Sequence, residues 1–589
     1  MDNPVEEIKK RLDIVEYIGN FIALKKAGRN FKAVCPFHSE KTPSFVVSPE
    51  RQIWHCFGAC GEGGDVVKFL MKWENITFVE ALRELAEKTG VTLRKISLED
   101  RVWRKRERYF NMNAVAAEFF EYLLTKTKFG EKGLSYLKGR GIKPVTVKKF
   151  QLGYAPSSWD SLGLFLKKKK FDEAEIFENG LTVKGERGNY YDRFRGRLMF
   201  PIKDSRGYVV GFSGRSLDAA EKQAKYINTP ETPIYHKRES LFGIDLAKEA
   251  IKKEKNAFVV EGEFDTISPY QNGFTNFVAV KGTALTAEQL MLLKRYTEKI
   301  SLALDADVAG EESAKRGIEE AEKLGLEVAV VKLPVGKDPD EAVRSDMGAF
   351  KKAIKKPIPI YDFLIESAQK KYPEETSFAK KKIGDEVIPF LERITNPIVK
   401  SHYVKKIAKV LGVSETSIEV MMQKIKRKKR EMSSFKPALK SKSKEDRQLI
   451  IERYLLSHVF QHENPYSTAD KIFCTLNWDN FYLPAHQKIA KIFLDAKDDK
   501  GKAFDLNRFV LKLSPELRPI FDQLYLFGSS EHDLSSESLD KLVFEIRRYY
   551  LKREIEKILT DTNESPKRKE ELSSLSKSLK EVEKSLISL

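Results

Sequence analysis

Six carboxylates stand where a parallel sheet would gather them. Glu261 follows the apolar run 258–260, with Asp265 close behind; Asp305 and Asp307 follow the run 300–304; Asp338 and Asp340 lie just past the run 328–333. In an open parallel sheet the loops at the carboxyl ends of the strands converge, so three loops would bring these acids to one edge. Like charges so crowded raise one another's pKa and weaken the fold unless cations neutralise them, and hard oxygen donors suit Mg²⁺ or Mn²⁺. Such ions lower the pKa of an attacking hydroxyl, orient an α-phosphate and stabilise a pyrophosphate leaving group, which is the chemistry of nucleotidyl transfer. The bland alternative is a set of solvated acids at loop ends. No Ser, Cys or His nucleophile accompanies them and no G-x-x-x-x-G-K-[ST] loop occurs, which argues against covalent catalysis and against an ATPase motor.

A second constellation lies near the amino terminus. Cys35-Pro36-Phe37-His38 and Cys56-Phe57-Gly58-Ala59-Cys60 are two short ligand pairs. They are separated by enough chain for a β-hairpin, whose strands 44–48 and 52–56 flank a Pro49-Glu50-Arg51 turn. Three thiolates and one imidazole complete a tetrahedral Zn²⁺ shell with no open position, so one structural zinc per chain is expected at Cys35, His38, Cys56 and Cys60. His55 competes for the imidazole role, but it directly precedes Cys56 on a strand, where neighbouring side chains point to opposite faces; His38 is the better ligand. Around the site, Lys32, Lys41, Arg51 and Lys68 with Phe45, Trp54 and Phe57 either hold phosphates and stack bases or, for the aromatics, form the core of a small domain.

The elements that must position these groups follow from the rest of the pattern. The chain has 589 residues, 41% hydrophobic and 32% charged, which suits several folded domains of about 150 residues each joined by charged linkers. Lys and Arg outnumber Asp and Glu by 105 to 86, a surplus of 19 that attracts a polyanion such as nucleic acid or anionic lipid. No apolar run approaches the ~20 residues of a membrane span. The first residues have neither a basic nor an apolar signal region, so a cytoplasmic location and no membrane partner are expected. The remaining cysteine, Cys474, is expected to be a buried small hydrophobe.

Residues 1–100 form the metal-binding domain and 101–250 an α+β piece, with a helix through Met112, Ala116, Phe120 and Leu123 and strands near 197–200 and 208–210. Residues 251–345 alternate apolar runs with helical segments, which implies a parallel α/β sheet. Residues 346–425 read as helical. The basic, Ser-containing stretch 426–446 reads as a flexible linker, and 447–589 as an all-α domain ending in two long helices around 561–566. In the last helix Leu572, Leu575, Leu579, Val582 and Leu586 make an apolar seam, which packs on its own domain or faces a partner.

The motifs CPFHSEKTPSF from Cys35, WHCFGACGEGGDVVKFLM from Trp54, LKGRGI from Leu137, FQLGYAP from Phe150, RFRGRLMFPI from Arg193, KYINTPETPIYHK from Lys225, EGEFD from Glu261, DADVAG from Asp305 and KDPD from Lys337 together resemble the DnaG-type primase family. The resemblance implies a multidomain α+β and α/β protein with a zinc ribbon, a TOPRIM-type catalytic core and a C-terminal helical domain. It implies a DNA-dependent RNA polymerase that makes short RNA primers from ribonucleoside triphosphates on single-stranded DNA at the replication fork, holding the primer–template hybrid. By the same resemblance Glu261, Asp305 and Asp307 are catalytic, and these with Asp265, Asp338 and Asp340 carry Mg²⁺ or Mn²⁺. Arg140, Arg215, Lys225, Asn228 and Lys237 line the nucleotide and DNA track, and residues 447–589 dock on the replicative hexameric helicase. One departure is visible: Phe57-Gly58-Ala59 puts three residues between the last two cysteines, where the family usually has two. A TOPRIM topoisomerase or nuclease would share the acids but cleave DNA, and a non-catalytic adaptor would lack need of them.

Overall fold

In a computed structural model the described residues are 4–588 except 39, 41, 75, 94–98, 187, 218–223, 282–284, 304–311, 334–337, 395, 434–446, 498–503, 528–537 and 561–565. They divide into two compact units, Met1–Arg94 with Pro437–Leu589, and Lys95–Lys436.

The first unit begins with an antiparallel sheet of five strands in sequential order: β1 (Lys25–Ala27), β2 (Asn30–Ala33), β3 (Phe45–Ser48), β4 (Ile53–Cys56) and β5 (Gly63–Gly64). The β3–β4 pairing runs Phe45↔Cys56 to Ser48↔Ile53, as the hairpin reading expects. Its turn needs a left-handed residue, and Gln52 supplies it at φ 52°. The Gln52 amide offsets that strain by accepting from the Ile14 N–H at 2.8 Å and donating to the Pro49 carbonyl at 2.7 Å. Phe45, Val47 and Trp54 turn inward with Phe69 and Leu70 of the helix Val66–Glu74, while Val46, on the other face of β3, is buried in the core of the carboxyl-terminal helices. That helical part comprises Arg447–Gln461, Pro465–Phe473, Pro484–Lys497, Leu506–Lys512, Leu517–Phe527, Leu539–Thr560 and Pro566–Ser588. In the last helix Val582 is buried and the other four seam residues are half-buried, so the seam is largely spent within the unit. Cys474 corrects an expectation: it is exposed, since it caps the end of Pro465–Phe473 and its thiol donates to the Lys471 carbonyl instead of entering the core.

In the second unit the long helix Glu99–Lys126 lies on an antiparallel sheet ordered β11-β10-β9-β6, with β6 (Gly153–Ala155), β9 (Arg197–Lys203), β10 (Val209–Ser216) and β11 (Tyr226–Asn228); β7 (Thr182–Lys184) and β8 (Tyr190–Asp192) form a separate hairpin. The α/β part is a six-stranded sheet ordered β12-β14-β13-β15-β16-β17: β12 (Leu241–Phe242), β13 (Ala257–Val260), β14 (Phe277–Val280), β15 (Lys299–Leu302), β16 (Glu327–Val330) and β17 (Ile358–Pro359). The four inner strands are parallel and the two edges antiparallel. The chain goes from β13 outward to β14 and then crosses back past β13 to β15, so the strand order reverses beside β13, where a crevice opens at the carboxyl ends. Helices Ile360–Lys371, Ser377–Leu391, Pro397–Leu411 and Glu415–Ser433 share a core with this sheet. The last of them carries helix into the basic stretch read as linker, because Lys and Arg are good helix formers and no Gly or Pro intervenes before Pro437. No helix among the described residues is long and apolar enough to cross a membrane.

Candidate metal centres and nucleotide pocket

The ribbon brings Cys35, His38, Cys56 and Cys60 together with all ligand atoms within 4.8 Å of one another. Cys35 follows β2, Cys56 ends β4, and His38 and Cys60 sit in the adjoining loops. The Phe37 and Gly58 N–H groups donate to the Cys35 and Cys56 sulfurs at 3.4 and 3.3 Å. Crowding pushes the Cys35 thiol up, through its hydrogen bonds to Cys56 and Cys60, and holds Cys60 far down through the bond from Cys35, so a thiolate is already favoured in the cluster. Glu40 is the support behind it: one oxygen accepts from the Cys35 N–H at 2.7 Å, the other lies 3.0 Å from His38 Nε2. His38 Nδ1 lies 3.7 Å from Cys56 Sγ, while Nε2 faces Glu40 and also accepts from the Ala59 N–H at 3.2 Å, so two groups fix the orientation of the ring. A Cβ on Gly58 would come 2.5 Å from the His38 ring, so the longer spacer needs glycine at that point. These soft donors fit a structural zinc.

His55 faces the opposite side of β4 from Cys56, which supports the choice of His38. Phe45 and Trp54 stack at 4.9 Å and are buried, so of the two readings of the aromatics the core reading holds for this pair; Phe57 lies on the outer side. Lys41 is outside the described residues.

At the carboxyl end of the parallel sheet a pocket of about 290 Å³ is lined by Glu261, Asp265 and Asp338 together with Arg215, Lys225, Asn228, Glu263 and Lys281. Glu261 follows β13; Asp265 lies in the helix Glu263–Gln271 that begins two residues later; Asp338 caps the helix Pro339–Ser345 by accepting from the Glu341 N–H at 2.8 Å. Asp265 accepts from the Gly262 and Asp340 N–H groups at 3.0 and 3.2 Å, yet burial, then the Asp338 and Asp340 charges, push its carboxyl up to about 8. A divalent cation would remove the need for that proton. The Asn228 side-chain oxygen is buried and finds no hydrogen-bond partner among the described residues, leaving a polar group for a ligand to satisfy. Donor type and unsatisfied polarity thus fit hard cations and a nucleotide, although among the described residues the tight four-ligand cluster occurs only in the ribbon. Asp305 and Asp307 are outside the described residues.

Three expected site residues do not line the pocket. Asp340 is buried and turned away: Arg140 Nη1 lies 2.5 Å and Arg344 Nη2 2.9 Å from it, and Ser268 donates to its other oxygen. The reason is local, since Asp338 is the cap and Asp340 stands two residues into the helix, on another side. Arg140 is consequently taken up by Asp340 and by the face of Phe264 at 4.5 Å. Lys237 contributes its backbone N–H to Glu231. Conversely, the sequence analysis did not single out the ion pair between Lys281 and Glu263 in the pocket wall, each about 4% exposed. Lys281 directly follows the run 277–280, the same strand-end position that drew attention to Glu261, and that signal could have found it.

Four family models match: CHC2 zinc finger over residues 1–100, DNA primase catalytic core, N-terminal domain over 119–248, Toprim-like over 258–343, and DnaB-helicase binding domain of primase over 361–416. A DNA primase of Clostridium acetobutylicum is 35% identical over 503 residues, 84% of this chain and 82% of the relative. A DNA primase of Halalkalibacterium halodurans is 32% identical over 606 residues, covering 98% of each. A crystal structure of the Aquifex aeolicus primase, zinc-binding and RNA polymerase domains, is 35% identical and covers 71% of this chain and 99% of that one, with a TM-score of 0.47.

Proposed function

This chain belongs to the DnaG-type DNA primase family, whose members synthesise RNA primers, and from that premise we propose that the pocket beyond β13 is its nucleotidyl-transfer centre. The observation that carries the assignment is the meeting of Glu261, Asp265 and Asp338 with Arg215, Lys225 and Asn228 in one crevice. Glu261, Asp265 and Asp338, with Asp305 and Asp307 from the loop after β15, hold Mg²⁺ or Mn²⁺. Such ions, when bound, lower the pKa of the primer 3′-hydroxyl and offset charge on the departing pyrophosphate.

The chain's own groups do the rest. Arg215 and Lys225 supply the positive charge that a triphosphate requires beside the metals. The Asn228 amide meets a polar edge of the incoming ribonucleotide. Asp340 and Arg140 act one layer back, holding the start of Pro339–Ser345 so that Asp338 faces the pocket. The 3′-hydroxyl then attacks the α-phosphorus, one P–O bond forms, and the bond to pyrophosphate breaks. The ribbon meets the single-stranded template in the cytoplasm at the fork.

The test is incorporation of radiolabelled ribonucleotides on single-stranded templates. Glu261→Gln and Asp338→Asn abolish primers while single-strand binding survives; wild-type incorporation by either would sink the site. Incubation with supercoiled plasmid gives no relaxation, which separates priming from the topoisomerase reading. Helicase contact has two candidate positions, the family match at 361–416 and the terminal helices 447–589. Helicase capture by a chain ended at 425 assigns it to the first, and loss of capture to the second.

A further inference from the structure

The register of the ribbon sheet aligns side chains across its outer face. Lys25 is opposite Lys32, Lys32 opposite Val46, and Val46 opposite His55, with Arg51 in the β3–β4 turn and Phe57 just past β4. Cations that can meet phosphates and flat rings that can meet bases are the ingredients of a single-strand surface. In the folded chain the β3–β4 part of this face packs against the helix Leu517–Phe527. Arg51 holds Asp522 through Nη2 at 2.7 Å and Nε at 3.2 Å, and Nη1 reaches Asn507 at 3.2 Å. The Tyr525 hydroxyl donates to Glu50 at 2.6 Å, and Phe527 packs edge-on to Phe57 at 5.6 Å.

The helix therefore presents a carboxylate to the arginine and a ring to the half-buried Phe57, the two kinds of group that a nucleotide would present. The cover is also imperfect. Both nitrogens of His55, on the outer face beside Phe57, are buried and find no hydrogen-bond partner among the described residues, a cost that water or DNA would relieve. We propose that the helix Leu517–Phe527 is an internal competitor for single-stranded DNA on the outer face of the zinc ribbon, so that template binding there requires the helix to leave.

The proposal rests on the reading that the ribbon meets the template. Hydrogen exchange of the full-length, zinc-loaded chain with and without a dT16 oligonucleotide separates the two. The expected result is that saturating dT16 raises protection across β3 and β4 while Leu517–Phe527, protected in the free chain, loses protection. If the strands respond to DNA and the helix stays protected, the competition is wrong. If the strands do not respond, the ribbon is not a template surface and the proposal falls with that reading.

A second arm measures dT16 affinity of Asp522→Asn/Tyr525→Phe, which loosens the cover without altering the ribbon. Apparent affinity rises in proportion to the uncovered fraction, about fivefold or more if the free chain is mostly closed. Glu556→Gln, an exposed change of the same net charge, is the control; equal affinity of the two variants would overturn the proposal. Should the double variant lose zinc, the wild-type exchange experiment decides alone.

Discussion

In the ribbon, three sulfurs and an imidazole lie within 4.8 Å of one another, pinned by N–H···S bonds and by Glu40. Beyond β13, Glu261, Asp265 and Asp338 line one pocket and form no such tight cluster among the described residues, and burial leaves Asp265 wanting a proton. Both regions crowd ionisable groups. The difference is in donor softness and in what surrounds the donors: the ribbon's shell is closed and soft, suited to an ion that stays, whereas the pocket is open and hard, suited to ions that arrive with substrate and leave with product.

The largest effect that would break this comparison is loss of the ribbon's ion. Structural zinc contributes roughly 10–16 kcal/mol of apparent folding free energy in small zinc modules. Cys56→Ser with Cys60→Ser is therefore expected to abolish amide protection across β1–β5, while the melting of residues 95–436 is unchanged. A folded, zinc-free ribbon would contradict the closed-shell account.

Next is the wall of the pocket. Lys281→Met leaves Glu263 buried without its partner, at a cost of about 3–5 kcal/mol. Thermal unfolding should show that loss, and Glu263→Gln/Lys281→Met should recover most of it. Similar stability of Lys281→Met and the parent chain would mean the pair is solvated, not part of the wall.

A smaller effect concerns pH. The folded-state pKa of Asp265 is raised to about 8, against 3.8 for an unperturbed carboxyl, so the native chain binds a proton that the unfolded chain has released. Metal-free stability accordingly falls as pH rises from about 4 to 8, at up to roughly 1.4 kcal/mol per unit. Asp265→Asn flattens that slope, and Mg²⁺ reduces it by favouring the carboxylate. Calorimetry of Mg²⁺ binding at pH 7 in buffers of different ionisation enthalpy should register release of close to one proton; no release would show that Asp265 is already charged.

The two regions also differ in how readable they were. The ribbon's ligands and hairpin lie within a short stretch, so spacing pointed to Cys35, His38, Cys56 and Cys60, and strand alternation set His55 aside in favour of His38. Strand-end logic located Glu261, Asp265 and Asp338 because a parallel sheet places its carboxyl ends together. It could not distinguish Asp338 from Asp340, since that depends on which residue caps a helix. The Lys281–Glu263 pair joins two strand ends whose partnership has no periodic signal. Least legible was the cover on the ribbon: Arg51 and Asp522 are 471 residues apart, and nothing local in either segment announces the other. Asp305 and Asp307 remain assigned from their strand-end position and the family motif.

The central claim, that the pocket beyond β13 holds exchangeable divalent cations, is tested most directly by electron paramagnetic resonance of Mn²⁺ titrated into the zinc-loaded chain and into Glu261→Gln/Asp338→Asn. The account predicts bound Mn²⁺ in the parent chain and its loss in the double variant, with zinc content unchanged. Equal Mn²⁺ binding by both would place the catalytic metals elsewhere.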